Sequence, residues 1–241
     1  MEHPLTLILI IAGAFYIFGY YRRFFVYAGI LFQCSYLLMR GAQLGRLPLV
    51  GPHDTLCFLS ASIAVFAVPI AYRVRDRQRF QHGIVALVVF FMGLSLIFQP
   101  HTMPLPPVLR TFWFETHVAF SFFSYALFGI AAVLGVLSLT YDGGVPEEAQ
   151  YTAILVGYSF FSLGMIFGGI WAYYAWGTYW LWTAKEVWTV MVWLFYGFYL
   201  HARLTSWWKG KPEAILGIIG FGIVLFTYLG VSLLMKSSHA F

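Results

Sequence analysis

Residues 176–188 read WGTYWLWTAKEVW, with Trp176, Trp180, Trp182 and Trp188 crowded into thirteen positions. Trp and Tyr gather at membrane surfaces because an amphipathic ring suits the headgroup layer, so an interfacial belt would account for the composition alone. The spacing points further. Trp171, Trp176, Trp180 and Trp182, with Gly177 among them, are expected in the connection between two helices, presenting flat apolar faces at one surface. A contiguous apolar patch of that kind is a binding surface, and its shape suits the edge of a large planar ligand.

The segment runs into Thr183, Ala184, Lys185 and Glu186. A threonine followed three positions later by a glutamate is a capping box, in which the hydroxyl accepts from the Glu186 N–H and the carboxylate accepts from the Thr183 N–H. Glu186 therefore has a structural role first. Lys185 is either an interfacial anchor or the contact for an acidic ligand group. Beyond the cap, Glu186, Val190, Trp193, Gly197 and His201 fall on one helical stripe. Gly197, one turn from His201, leaves room for a planar group on the imidazole or is a packing notch, the role read for Gly164-x-x-x-Gly168.

The elements that position these residues follow from composition. The chain has 241 residues, 61% hydrophobic and 10% charged, against about 25% charged in soluble domains. A bilayer core of roughly 30 Å needs about 20 apolar residues per helix. Eight such runs are expected near 4–20, 24–40, 54–72, 82–99, 113–139, 150–170, 187–204 and 213–235. The first run lacks a basic leader and a small-residue cleavage site, and reads as a retained helix. Connections around 41–53 and 100–112 carry Gly51-Pro52 and Pro104, Pro106 and Pro107, which suit turns.

Nine basic residues (Arg22, Arg23, Arg73, Arg75, Arg77, Arg79, Arg203, Lys209 and Lys211) fall on one side of this topology and five (Arg40, Arg46, Arg110, Lys185 and Lys236) on the other. The positive-inside rule makes the first side cytoplasmic. The expected architecture is an all-α polytopic membrane protein of about eight transmembrane helices. Both termini and the tryptophan-rich segment lie on its outer side. The net charge of +5 is then a topology signal in a lipid bilayer and requires no nucleic acid. Cys34 and Cys57 fall inside expected helices with no C-x-x-C pair, which argues against a thiol–disulfide site or structural zinc.

Depth singles out three histidines. His117 opens the fifth expected helix and His239 follows the eighth, both at the outer surface, while His201 closes the seventh near the cytoplasmic face. His3, His53 and His101 are expected in loops or at a terminus, and His82 at the inner end of the fourth helix. A single interfacial histidine reads as a solvated helix end. Two at the ends of helices that bracket an aromatic platform suit haem iron, whose usual axial ligand is a neutral imidazole. From Thr183 to His201 the helix rises about 27 Å at ~1.5 Å per residue, so His201 and the outer pair cannot share one iron.

The stretch WAYYAWGTYWLWTAKEVWTVMVWLFYGFYLHAR, 171–203, resembles the tryptophan-rich WWD signature of the CcsA (ResC) cytochrome c biogenesis proteins of system II, where A-W-G-x-Y-W-x-W-D-P-K-E leads into a helix ending L-H-x-R. ETHVAFSFFSYALFGIAAVLGVLSL, 115–139, is similar to that family's helix beginning at an outer histidine, and FTYLGVSLLMKSSHAF, 226–241, to its last helix and terminal histidine. The resemblance covers roughly the C-terminal half, separating a haem-handling region, 113–241, with its WWD-like segment at 171–188, from a diverged four-helix region, 1–112.

The resemblance implies haem transport across the membrane and its ligation to the C-x-x-C-H motif of apocytochrome c. The chain would then be a subunit of a cytochrome c haem lyase complex, a holocytochrome c synthase, beside a ResB/CcsB-like partner. The setting would be a bacterial cytoplasmic or thylakoid-type membrane. Haem b would sit at an outer site between His117 and His239, on a platform of Trp171, Trp176, Gly177, Trp180, Trp182, Lys185 and Glu186. His201 would be the inner-site ligand, and Arg203 either a propionate contact or a positive-inside anchor. The family's Asp-Pro is Thr183-Ala184 here, which keeps the helix cap and loses a charge. That change favours, as the alternative, a HemX-like accessory haem-binding protein. A six-helix CcmC-type exporter component fits the length but not eight apolar runs.

Overall fold

The computed structural model describes residues 2–100, 102, 104–141 and 147–231. Among them run eight α-helices: α1 Glu2–Gly19, α2 Arg23–Leu44, α3 Pro52–Ala71, α4 Arg77–Ser95, α5 Phe112–Thr140, α6 Glu147–Trp176, α7 Ala184–Ala202 and α8 Lys211–Leu225. A single π-helical turn, Phe226–Gly230, continues α8. Five helical stretches, Arg23–Leu44, Pro52–Ala71, Phe112–Thr140, Glu148–Trp176 and Lys211–Gly230, are long and apolar enough to cross a membrane. The described chain is all-helical, as befits a polytopic membrane protein.

Local chemistry sets the boundaries. Gly51, at φ +86, turns the chain into α3 with Pro52 in its first turn, where the missing N–H costs nothing. The Asp76 carboxylate accepts from Arg79 N at 3.0 Å and starts α4 five residues before the apolar run at 82. Thr111 caps α5 through Phe114 N at 3.2 Å. One boundary corrects the sequence reading. α6 runs six residues past 170, so Trp171 and Trp176 are helical and not part of a connection. No glycine or proline after Gly169 interrupts that turn until Gly177, whose φ of +74 ends it while its N–H donates to Tyr173 O at 2.8 Å. A left-handed residue just past a helix is usually glycine because a Cβ clashes there.

Helices pack as neighbouring pairs, α1 with α2, α3 with α4 and α5 with α6, and α3 and α8 also lie on α5. α5 is apolar on all sides, and Phe122 and most residues from Ser124 to Gly135 are buried. It is the central post. Phe128 on α5 stacks on Tyr196 of α7 at 3.6 Å between centroids.

Several buried polar groups of the first four helices are paired internally, as a low-dielectric setting favours. Tyr16 donates to Gln33 at 2.8 Å, and Gln33 donates to Ser60 at 2.5 Å. Arg40 meets Asp54 at 3.4 Å, their side chains 5% and 0% exposed. His53, expected in a loop, is instead buried in the first turn of α3, between the Tyr36 hydroxyl at 2.7 Å and the Ser95 carbonyl at 2.9 Å. Pro52 carries the helix back over it.

Candidate functional site

A cavity of about 500 Å³ opens where the α2–α3 connection, α3, α5, α6, the 177–183 segment, the start of α7 and the π-turn meet. Its size falls within the roughly 300–1,000 Å³ of ligand sites. Most of the wall is apolar, and its chemistry-bearing members are His117, Trp171, Trp180, Lys185 and Glu186.

His117 stands on the wall with its tautomer fixed. Nδ1 lies 2.8 Å from the Gly164 carbonyl. Because a carbonyl only accepts, Nδ1 carries a proton, and in the neutral ring the lone pair is then on Nε2. That is the arrangement a metal-binding imidazole needs, with its second nitrogen tied to a backbone oxygen. The seat is cut into α6. A Cβ at Gly168 would lie 2.6 Å from Nδ1 and 2.8 Å from Cε1, and one at Gly164 would lie 3.1 Å from Ser121 Oγ. The small-x-x-x-small pair thus lets α5 approach α6 closely and makes room for the imidazole.

The tryptophans divide by role. Trp171 is 4% exposed, donates Nε1–H to Val108 O at 2.8 Å and lies nearly parallel to the His117 ring, 6.3 Å away between centroids. Trp176 packs edge-on against Trp171 at 4.7 Å. Trp180 lines the cavity, and its Nε1 is buried with no hydrogen-bond partner among the described residues. Trp182 takes a left-handed φ of +56 and is 71% exposed.

Glu186 holds this segment in shape. The capping box forms in full, with Thr183 N donating to Oε2 at 2.7 Å and Glu186 N to Thr183 Oγ1 at 3.3 Å. Leu181 N also reaches both carboxylate oxygens at 3.2 Å. The amides on either side of Trp182 therefore converge on one carboxylate, which offsets the strain of a non-glycine residue at positive φ. Lys185 differs from its neighbour. It lines the cavity, and among the described residues no carboxylate lies within ion-pair distance of it.

At the other end of α7, His201 is exposed and its Nδ1 donates to the Gly197 carbonyl at 2.8 Å. Gly197 serves as a notch, since a Cβ there would lie 3.3 Å from the Tyr158 hydroxyl. Arg203 reaches Glu213 and, at 2.9 Å, Glu148, and lies over the Tyr151 ring at 4.5 Å. A ligand carboxylate at Arg203 would have to share it with two glutamates. His82 stacks on Tyr20 at 3.9 Å and donates Nε2–H to the Tyr20 carbonyl at 3.0 Å. His239 and His101 lie outside the described residues.

Two contributions to the cavity were not anticipated from the sequence. Gly164 and Gly168 read as helix packing and prove to seat the histidine as well. Tyr228, on the π-turn, bonds to Thr55 Oγ1 at 2.7 Å and closes the α3–α8 side of the wall. π-turns recur at functional sites, but no local residue pattern announces one.

Fold and site together define a helical membrane protein with an aromatic, histidine-walled cavity at one end of its bundle. The chain belongs to the cytochrome C assembly protein family, whose model matches residues 50–239 and so reaches back to include α3 and α4. It is 31% identical over 224 aligned positions to the cytochrome c biogenesis protein CcsA of Chlamydomonas reinhardtii, covering 85% of this chain and 64% of that one. With CcsA of Prochlorococcus marinus (strain NATL1A) it shares 29% identity, covering 91% and 84% of the two chains. With CcsA of Heterosigma akashiwo (strain NIES-293) it shares 30%, covering 86% and 80%. The fold is similar to that of cytochrome c heme lyase CcmF, with a TM-score of 0.76 at 16% identity over 93% of this chain and 46% of that one.

Proposed function

We propose that the chain carries haem across the membrane, holds it in the outer cavity with His117 as an axial ligand, and presents it to apocytochrome c for covalent attachment. The observation that carries this reading is His117 itself, its Nδ1–H held by the Gly164 carbonyl and its ring seated by two glycines on the wall of an apolar cavity. Haem is the cargo, a flat apolar disc with an anionic edge, and the wall matches it chemically. The indoles of Trp171 and Trp180 supply apolar faces. Lys185 and the buried Nε1–H of Trp180, which has no partner among the described residues, supply a cation and a donor for a propionate. Glu186 is occupied by backbone amides and acts by shaping the segment.

In this reading His239 supplies the second outer ligand and His201 an inner station, with its other ligand from a ResB/CcsB-like partner or from His82. All eight helices span a bacterial cytoplasmic or thylakoid-type membrane, with the 171–188 segment outside. Arg203 serves as an anchor, since its guanidinium is shared by Glu213 and Glu148. The family relatives named for cytochrome c biogenesis support the client class, and the bound form expected is haem b.

The experiment is complementation. The chain and its partner, expressed in a host lacking its own haem ligation system, should yield holocytochrome with covalent haem. Haem-loaded protein without holocytochrome would favour the accessory, HemX-like role.

A further inference from the structure

A second, smaller cavity of about 80 Å³ lies at the opposite end of the bundle from the haem cavity, where α2, α3 and α4 converge beside the basic 20–22 and 72–76 turns. We propose that it binds one anionic phospholipid, with the phosphate between Arg23 and Arg77 and an acyl chain along α3. The reasons lie in its two halves. Its floor is the small-residue strip Ala64, Ala67, Val68 and Ala71, spaced at i, i+3, i+4 and i+7 on one face of α3. Such a strip leaves a shallow trough between bulkier walls. The rim is polar and cationic. Arg23 comes from the start of α2 and Arg77 from the start of α4, and among the described residues neither meets a carboxylate.

Asp76, the nearest acid in sequence, is already paired with Arg79 at 3.2 Å. Arg77 rests over the Tyr72 ring at 5.3 Å, and Tyr27 and Tyr72 both line the mouth. This holds one guanidinium at the rim and sets two phenols at the headgroup level, where aromatic residues settle. Guanidinium groups bind phosphate through paired N–H donors. A trough that starts in apolar surface and ends between two uncompensated arginines is complementary to a lipid of the anionic leaflet. A helix of a partner protein would fill the trough but leave both charges unmet.

The test is native mass spectrometry of detergent-purified protein, delipidated and re-exposed to phosphatidylglycerol or phosphatidylcholine. The wild type should retain one phosphatidylglycerol with about tenfold preference. Arg23→Gln/Arg77→Gln should lose the preference. Val68→Phe should lose retention with the arginines intact, and inorganic phosphate should not displace the lipid. Equal retention of the two lipids, an unchanged double variant, or displacement by phosphate alone would overturn the proposal. So would retention of a partner helix in place of lipid. Haem content plays no part in these readings, so they stand apart from the haem assignment.

Discussion

The imidazole of His117 fills the space that a side chain at Gly168 would need, its Nδ1 2.6 Å from where that Cβ would sit. Gly168→Ala must therefore push the ring off its seat and break the bond to the Gly164 carbonyl. The expected outcome is folded protein with reduced haem and an altered absorption spectrum. At Gly164 a Cβ would meet Ser121 Oγ at 3.1 Å and its backbone N at 3.3 Å, so Gly164→Ala should loosen the α5–α6 contact with a smaller spectral change. A normal spectrum in Gly168→Ala would separate the glycine from the ligand site.

Glu186 gathers the amides of Leu181 and Thr183. Hydrogen bonds to a charged acceptor contribute about 1.5–3 kcal/mol, so Glu186→Ala should release the 177–183 segment. Hydrogen exchange at Leu181 and Thr183 should rise by more than tenfold while the rest of α7 stays protected. Thr183→Ala removes only the cap and should cost about 0.5–2 kcal/mol. Thr183→Asp should keep the cap. Loss of haem in a well-folded Thr183→Asp protein would make the threonine an adaptation and favour the accessory reading.

Lys185 offers the cavity a cation that meets no carboxylate among the described residues. Lys185→Met should weaken haem retention about tenfold or more, the order expected for one lost charge-assisted hydrogen bond. Lys185→Arg should retain most of it. The axial spectrum should be unchanged in both, because no ligand to iron is altered. If Lys185→Met retains haem as the wild type does, the ammonium is an interfacial anchor.

His201 lies at the far end of α7 from Lys185, about 24 Å away at ~1.5 Å per residue. His201→Ala should lower haem at the outer site without changing that site's spectral type, because supply fails and coordination does not. Unimpaired loading and cytochrome maturation in that variant would reject two stations.

The helices were legible because apolar runs and their breakers are local signals, and the capping box at Thr183 and Glu186 could be read from two residues. Boundaries slipped where a polar cap sits outside the apolar run, as at Asp76, or where aromatic residues of ambiguous propensity extend a helix, as at Trp171 and Trp176. His53 was missed because its burial depends on Tyr36 and Ser95, which are distant in sequence. The seat of His117 was half visible: the two glycines marked a notch, but only the α5–α6 packing tells which side chain occupies it. Tyr228 had no signal, since a π-turn is set by tertiary contact and not by local pattern.

The most direct measurement is the absorption spectrum of the detergent-purified protein with its partner, recorded for the wild type and for His117→Gly with and without imidazole. The account predicts a low-spin, six-coordinate haem in the wild type, its loss or weakening in His117→Gly, and its return when imidazole fills the vacated position. An identical spectrum in wild type and His117→Gly, unaffected by imidazole, would contradict it.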